Sequence, residues 1–289
     1  MAGLVRRHVK DLRGRDRLCA LIIGKGPPPA GTHRGEFGPG IRFTADYRRD
    51  SSLVDLFFAQ YEQPSLVPIV RAFLKPGDCF YDVGANVGIY SLWASKLVGP
   101  TGQVHSFEPI SDTRELLRQL VLENNATNVV IAPYAVAGSS GSVKMQSIPG
   151  ASGLSSATRQ LDHSAVEVEV SAVTLDEYLG RCRRPDLVKV DVEGAELEVV
   201  RGMVGLLQNS RPPVIFEASP KTEREKEALK TVWGIFTNHQ YSLFDLTPRG
   251  LRVSDGEGSS MNVLAANAEL HGEQLRRLRH VRFKRNQNL

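Results

Sequence analysis

Apolar and polar positions follow two alternating periods along the chain. Short β-rich apolar runs occupy residues 79–83, 103–107, 129–132, 187–191 and 212–217. Each has the length and composition of a buried strand. Stretches with helical spacing follow them. These are Ile89 through Leu92, Trp93, Leu97 and Val98, then residues 112–125, 192–207 and 223–238. Strand and helix in alternation predict an α/β protein with a mostly parallel sheet and helices on both faces. The alternation breaks over residues 138–172. There, 143–146 and 166–170 each alternate as a hairpin pair would, and the polar loop 149–156 between them is long enough to be a lid. Thr174-Leu-Asp-Glu177 fits a capping box. Ser111 or Asp112 is the expected cap of the 112–125 helix. Residues 241–246 and 262–266 read as the last strands, with 247–260 connecting them.

Upstream, a helical pattern spans residues 55–74, with Pro64 suited to a first helical position. Residues 26–50 read as an irregular lead-in with short strands around 41–44, and residues 1–25 as an Arg-rich amphipathic helix. The expected organisation is a basic extension (1–50), one domain (51–266, with 138–172 inserted) and a basic tail (267–289). The tail carries Arg276, Arg277, Arg279, Arg282, Lys284 and Arg285, and reads as a solvated helix or an oligomer contact.

Composition narrows the class. An apolar content of 41% over 289 residues supports one sizeable core. A net charge of +4 does not by itself call for nucleic acid. Cys19, Cys79 and Cys182 are far apart and outside any C-x-x-C, as expected of reduced thiols in a cytoplasmic protein. No apolar run approaches the roughly 18 residues of a membrane helix.

The stretch Asp82-Val-Gly84-Ala-Asn86-Val-Gly88-Ile-Tyr90 joins the first strand to its helix. Glycines there let the backbone turn tightly and approach a ligand. A dinucleotide fold needs G-x-G-x-x-G with a pyrophosphate on the helix N-terminus, and here Asn86 replaces the middle glycine. Asp82 would repel a pyrophosphate and suits the ammonium of an amino-acid-like ligand, such as S-adenosylmethionine (SAM). The D-x-G-A-N-x-G-x-Y run, together with Lys189-x-Asp191-x-Glu193-Gly194, resembles the FkbM family of SAM-dependent methyltransferases. The resemblance covers about residues 55–266. It implies a Rossmann-like class I methyltransferase fold, with a seven-stranded, mostly parallel sheet ending in an antiparallel pair. It also implies SAM as cofactor. A Tyr61-Glu62 pair before the first helix implies Glu62 near cofactor or substrate; a first-turn acid stabilising the helix dipole is the alternative.

Asp82, Glu108, Asp191 and Glu217 all end strands, where open α/β sheets bind ligands. Glu108, some 20 residues past the glycine turn, is the expected ribose ligand, and Pro109 stops its strand. By spacing alone that acid also fits NAD. In the methyltransferase fold the loop after the third strand touches adenine, which points to Tyr134 and Ala135; core packing of Tyr134 is the competing reading. The expected cofactor set is Glu62, Asp82, Gly84, Ala85, Asn86, Gly88, Glu108, Pro109, Tyr134 and Ala135. Lys189, inside a buried strand, needs a carboxylate partner, either Asp191 or Asp82. Asp191 and Glu217, with Lys189, are the expected catalytic residues. The two acids either hold a divalent ion such as Mg²⁺ or one of them serves as base. His105 reads as a core histidine. Asp-Val-Glu-Gly stands where amine methyltransferases carry Asn/Asp-Pro-Pro-aromatic, which favours an oxygen acceptor. FkbM relatives modify hydroxyls of sugars, polyketides and similar metabolites. An RNA or protein methyltransferase, a nicotinamide oxidoreductase and a catalytically silent SAM-binding scaffold remain the competing readings.

Overall fold

The computed structural model describes residues 31–46, 49, 50, 53, 56, 65–150, 155–158, 165–180, 182–256 and 261–283. The expected helix over residues 1–25, and Glu62 with its Tyr61 and Pro64 neighbours, lie outside the described residues. The chain begins with strands β1 (Thr32–Phe37) and β2 (Ile41–Asp46), then helix α1 (Val67–Phe73). Strand β3 (Cys79–Val83), α2 (Ile89–Val98), β4 (Gln103–Phe107), α3 (Ser111–Glu123) and β5 (Val129–Ala132) follow in strict alternation. A short β6 (Ala135–Val136) leads to β7 (Gly141–Ser147) and β8 (Val166–Val173). Helix α4 (Leu175–Leu179), β9 (Leu187–Val190), α5 (Glu196–Arg201), α6 (Val204–Asn209), β10 (Val214–Glu217) and α7 (Glu223–Asn238) continue the α/β unit. Strands β11 (Ser242–Thr247), β12 (Gly250–Val253) and β13 (Asn262–Ala266), and helix α8 (Ala268–Leu278), complete it.

The main sheet runs in the order β12-β11-β13-β10-β9-β3-β4-β5. Strands β10, β9, β3, β4 and β5 are mutually parallel, and β13 is antiparallel to both β10 and β11. Among the described residues the sheet has eight strands, where seven were expected. The extra one, β12, lies inside the segment expected to be a plain connection. Thr247 makes the turn: its hydroxyl donates to the Gly250 carbonyl at 2.7 Å and accepts from the Arg249 amide at 3.2 Å. Only four residues then pair with β11, too short an alternation to stand out in sequence.

Side-chain alternation sorts each strand between two apolar layers. Tyr81, Val83, Val188, Val190 and Phe216 face α5, α6 and α7. Phe80, Val104, Leu187, Ile215 and Leu264 face α1, α2 and α8. The strand expected around 41–44 is present as β2, and it pairs with β1 into a hairpin that belongs to the core. Phe37, Ile41 and Phe43 are buried against Leu92 and Trp93 of α2 and Leu116 and Leu120 of α3. The tail is likewise anchored, since Leu278 and Phe283 are buried against the second layer. Asn267 caps α8 by accepting from the Glu269 and Leu270 amides.

Three local expectations fail for identifiable reasons. Helix α3 has Ile110 at its N-cap, and neither Ser111 nor Asp112 caps it. In the capping box, Thr174 accepts from the Glu177 amide at 3.1 Å as expected. Glu177, however, bonds the Ser140 hydroxyl, whose oxygen accepts from the Thr174 amide, so the return arm is relayed through Ser140. The helix expected over 192–207 is two helices. A Cβ on Gly202 would lie 2.1 Å from the Ala137 carbonyl oxygen, so the chain breaks where the backbone after β6 crosses it. Asp176 then starts α6 by accepting from the Gly205 and Leu206 amides at 2.7 Å each. His105 is a core residue, 2% exposed, bonded to Tyr178 and Gln103, and burial lowers its pKa to about 4.

The contact between Gly202 and Ala137 is backbone on backbone, so it cannot relax by a rotamer change. Gly202→Ala is expected to cost about 2–4 kcal/mol of stability, read as a lower urea midpoint at unchanged slope.

Candidate active site

A cavity of about 420 Å³ opens where the parallel strands end. Its floor is Val83 and Gly84 at the end of β3, Phe107 and Glu108 at the end of β4, and Asp191 after β9. Pro109, Ile110, Tyr134, Ala135 and Val136 form one wall; Val143, Lys144 and Met145 of β7, with Ser155, Ala157 and Thr158, form the facing one. Val192, Glu193, Ala195 and Glu198 close the third side. The volume is in the range of small-ligand sites.

An ion triad links this floor to two buried charges beneath it. Lys189 of β9 is 3% exposed. Its ammonium lies 3.4 Å from Asp82 of β3 and 3.3 Å from Asp191. Burial works against the ammonium, but Asp191 and Asp82 together outweigh it and hold Lys189 above the ordinary lysine range. Asp82 is 1% exposed, and burial pushes its carboxyl above the usual range despite Lys189 and the Ser91 hydroxyl, which donates to it at 2.6 Å. Asp82, expected at the cofactor, is not among the residues lining the cavity; its carboxylate meets Lys189 and Ser91. Lys189 likewise supports the floor without lining the cavity, whereas Asp191 reaches it.

The turn from Gly84 to Gly88 packs against β4 and β9. Gly84 has φ +75°, and a Cβ there would lie 1.9 Å from the Asp191 carbonyl oxygen, so only glycine lets the two strand ends approach. The amides of Gly84 and Ala85 both donate to the Phe107 carbonyl, at 3.1 and 3.0 Å. The Asn86 amide donates to the Glu108 carboxylate at 3.0 Å, and the Gly88 amide to the Ala85 carbonyl at 2.8 Å. Four amides that could cradle a phosphate are thus engaged within the protein. Glu108 also accepts from the Ile110 amide at 3.0 Å. Burial raises its pKa to about 7, against these two amides and Arg114.

Of the residues expected at the cofactor, Gly84, Asn86, Glu108, Pro109, Tyr134 and Ala135 line the cavity. Ala85 and Gly88 shape the turn from behind: Ala85 is buried, and Gly88 begins α2 against Leu117. Glu217 lines a neighbouring recess, not this cavity. It comes close to the site all the same, since ligand atoms of Asp191, Glu193 and Glu217 lie within 4.8 Å of one another. Sequence reasoning gave no role to Glu193 or Glu198. Glu193 stood inside the quoted Lys-x-Asp-x-Glu-Gly run, so its proximity to Asp191 was available. Glu198 carries no signal beyond its place on α5.

An open α/β sheet in this order, closed by an antiparallel strand pair, is that of the class I methyltransferase fold. The chain belongs to the FkbM methyltransferase family, whose domain model (Methyltransferase FkbM domain) matches residues 82–243, more than half of its length. It is 32% identical over 147 residues to the hexuronic acid methyltransferase AglP of Haloferax volcanii, covering 49% of this chain and 57% of that one. It is 29% identical over 160 residues to the 31-O-demethyl-FK506 methyltransferase FkbM of Streptomyces tacrolimicus, covering 45% and 61%. The chain thus spans less than two thirds of these relatives' lengths. Among solved structures it is similar to an FkbM methyltransferase from Methylobacillus flagellatus KT, with a TM-score of 0.45 at 14% identity, covering 68% of this chain and 47% of that one. Among the described residues no helix is long and apolar enough to cross a membrane.

Removing Lys189 leaves Asp82 buried without its cation. Lys189→Met is expected to destabilise by about 3–5 kcal/mol. Burial already raises the Asp82 carboxyl against the pull of Lys189, and losing Lys189 raises it further, so protonation relieves more of the deficit at pH 5 than at pH 8. Urea midpoints at the two pH values check it; a deficit independent of pH overturns the triad as the source.

Proposed function

We propose that this protein is a SAM-dependent O-methyltransferase acting on a hydroxyl of a small molecule such as a sugar or polyketide. The observation that carries the reading is the engagement of the Gly84, Ala85, Asn86 and Gly88 amides inside the protein. Those four amides are not free to receive a pyrophosphate, which disfavours a nicotinamide dinucleotide. The lining chemistry supports a cationic donor instead. Glu108, Asp191, Glu193 and Glu198 present carboxylates, with Lys144 the one cation among the described lining residues. The same sign of charge disfavours a phosphate-bearing acceptor, and so an RNA substrate.

When bound, SAM supplies an electrophilic methyl group, which the acceptor oxygen takes as the carbon–sulfur bond breaks and its electron pair stays on sulfur. The residues of the chain orient and deprotonate. Glu108 holds the ribose diol through carboxylate oxygens already fixed by the Asn86 and Ile110 amides. Phe107, Ile110, Tyr134 and Val136 offer an apolar slot for a flat base. Asp191, beside Lys189, accepts the proton of the acceptor hydroxyl. Holding acceptor and methyl carbon in line supplies most of the acceleration.

Calorimetry should show SAM binding and no NAD binding at comparable concentrations. Accepting both diol hydrogens requires the ionised Glu108, whose pKa is about 7. SAM affinity is therefore expected to fall as pH drops below about 7, toward about tenfold per unit. Glu108→Gln should weaken SAM by at least about tenfold at pH 8 and remove the pH dependence. Affinity that is flat between pH 5.5 and 8 in the unaltered protein overturns the assignment of Glu108.

A second reading adds a divalent ion such as Mg²⁺. Asp191, Glu193 and Glu217 offer a hard-oxygen donor set, which fits such an ion. In the structure Lys189 and Lys221 lie beside two of these acids, at 3.3 and 3.7 Å. An ion there would lower the pKa of the acceptor hydroxyl. Under this reading EDTA abolishes methyl transfer from labelled SAM and Mg²⁺ restores it; turnover indifferent to chelator leaves Asp191 acting alone.

A further inference from the structure

The backbone after β9 is held in an unfavourable shape. Glu193 has φ +52°, a left-handed conformation that costs a non-glycine residue about 1 kcal/mol or more, and Gly194 follows at φ +98°. Such a conformation persists only where neighbours enforce it. Two sets of bonds do so here. From the helix side, Glu196 accepts from the Gly194 amide at 3.2 Å and the Val192 amide at 3.4 Å. From the opposite side, the Ser156 hydroxyl donates to the Glu193 carbonyl at 2.8 Å.

Ser156 belongs to the inserted hairpin, far from this turn in sequence. It is bridged to Gln146 of β7 in both directions, at 2.8 and 2.9 Å. Its own oxygen also accepts from the Thr158 amide at 3.2 Å. Neighbours Ser155, Ala157 and Thr158 line the cavity, whereas Ser156 is 1% exposed and turned into the protein. A polar side chain so placed acts on the backbone it touches, not on a ligand.

We infer that Ser156 is a positioning residue, which braces the strained Asp191–Gly194 turn against β7 and thereby sets the acceptor-side carboxylates of Asp191 and Glu193. The hairpin wall and the proton-accepting turn are then one mechanical unit. The acceptor pocket keeps its shape only while the two remain joined. The consequence for methyl transfer rests on the function proposed above; the brace itself does not.

Hydrogen exchange resolved by segment tests both. In Ser156→Ala without ligand, amides of residues 191–196 and of 143–147 should exchange about fivefold faster together, with β3 and β4 unchanged and Ser156→Thr restoring both. A role confined to packing would loosen 143–147 alone. An unchanged 191–196 turn therefore overturns the brace. Should the alanine variant not fold, Ser156→Cys, close in size but a weak donor, gives the same two outcomes. A separate arm adds S-adenosylhomocysteine to the unaltered protein. Slower exchange at residues 84–88 is expected; absence of any effect there sinks the methyltransferase reading and leaves the brace to be judged on the first arm.

Discussion

One cation between two acids sets the height of the crevice floor. Lys189 reaches Asp82 on one neighbouring strand and Asp191 at the end of its own. Neither Lys189 nor Asp82 is tolerable alone at such burial, and Asp191, half-exposed at the cavity, completes the tie. The tie extends sideways, since the Ser106 hydroxyl on β4 donates to Ser91, which donates to Asp82. Three adjacent parallel strands therefore end in register. Gly84 then fits against the Asp191 carbonyl because it has no side chain. Everything above this level, from the glycine turn to the acids of the lining, takes its position from it.

The order of charges around the cavity has a physical logic. Each lining acid near the acceptor side has its cation behind it: Lys189 for Asp191, Lys221 for Glu193 and Arg201 for Glu198. Those cations do not line the cavity. The protein is thereby spared a bare cluster of negative charge, while the ligand still meets carboxylate oxygens. Exposed pairs such as Glu198 with Arg201 contribute little to stability; their effect here is on the local field.

Much of this was legible in the chain. Strands β3, β4, β5 and β10 and helices α2 and α7 follow from apolar runs and helical spacing, because burial on both faces leaves no other pattern. The strand-end acids Glu108 and Asp191 could be placed for the same reason. What was not legible depends on contacts distant in sequence. Asp82 was expected both at the cofactor and as one of two alternative partners of Lys189; the register of β3 against β9 sets it beside Lys189. The split of α5 from α6 depends on the backbone near Ala137 passing Gly202. Burial of the β1–β2 hairpin depends on α2 and α3 offering Trp93 and Leu116. Strand β12 is four residues long and hidden in a polar stretch.

The bond from the Asn86 amide to Glu108 joins two features usually treated as separate modules. The edge of the turn that faces phosphate in dinucleotide folds and the acid proposed for the ribose are here a single hydrogen-bonded object. Converting this scaffold to a nicotinamide cofactor by restoring a glycine at position 86 would therefore not suffice. The amide would still point at Glu108, and the strand end would have to be rebuilt before the turn could turn outward. The Asn86 amide is released only if the Glu108 side chain that accepts from it is exchanged as well.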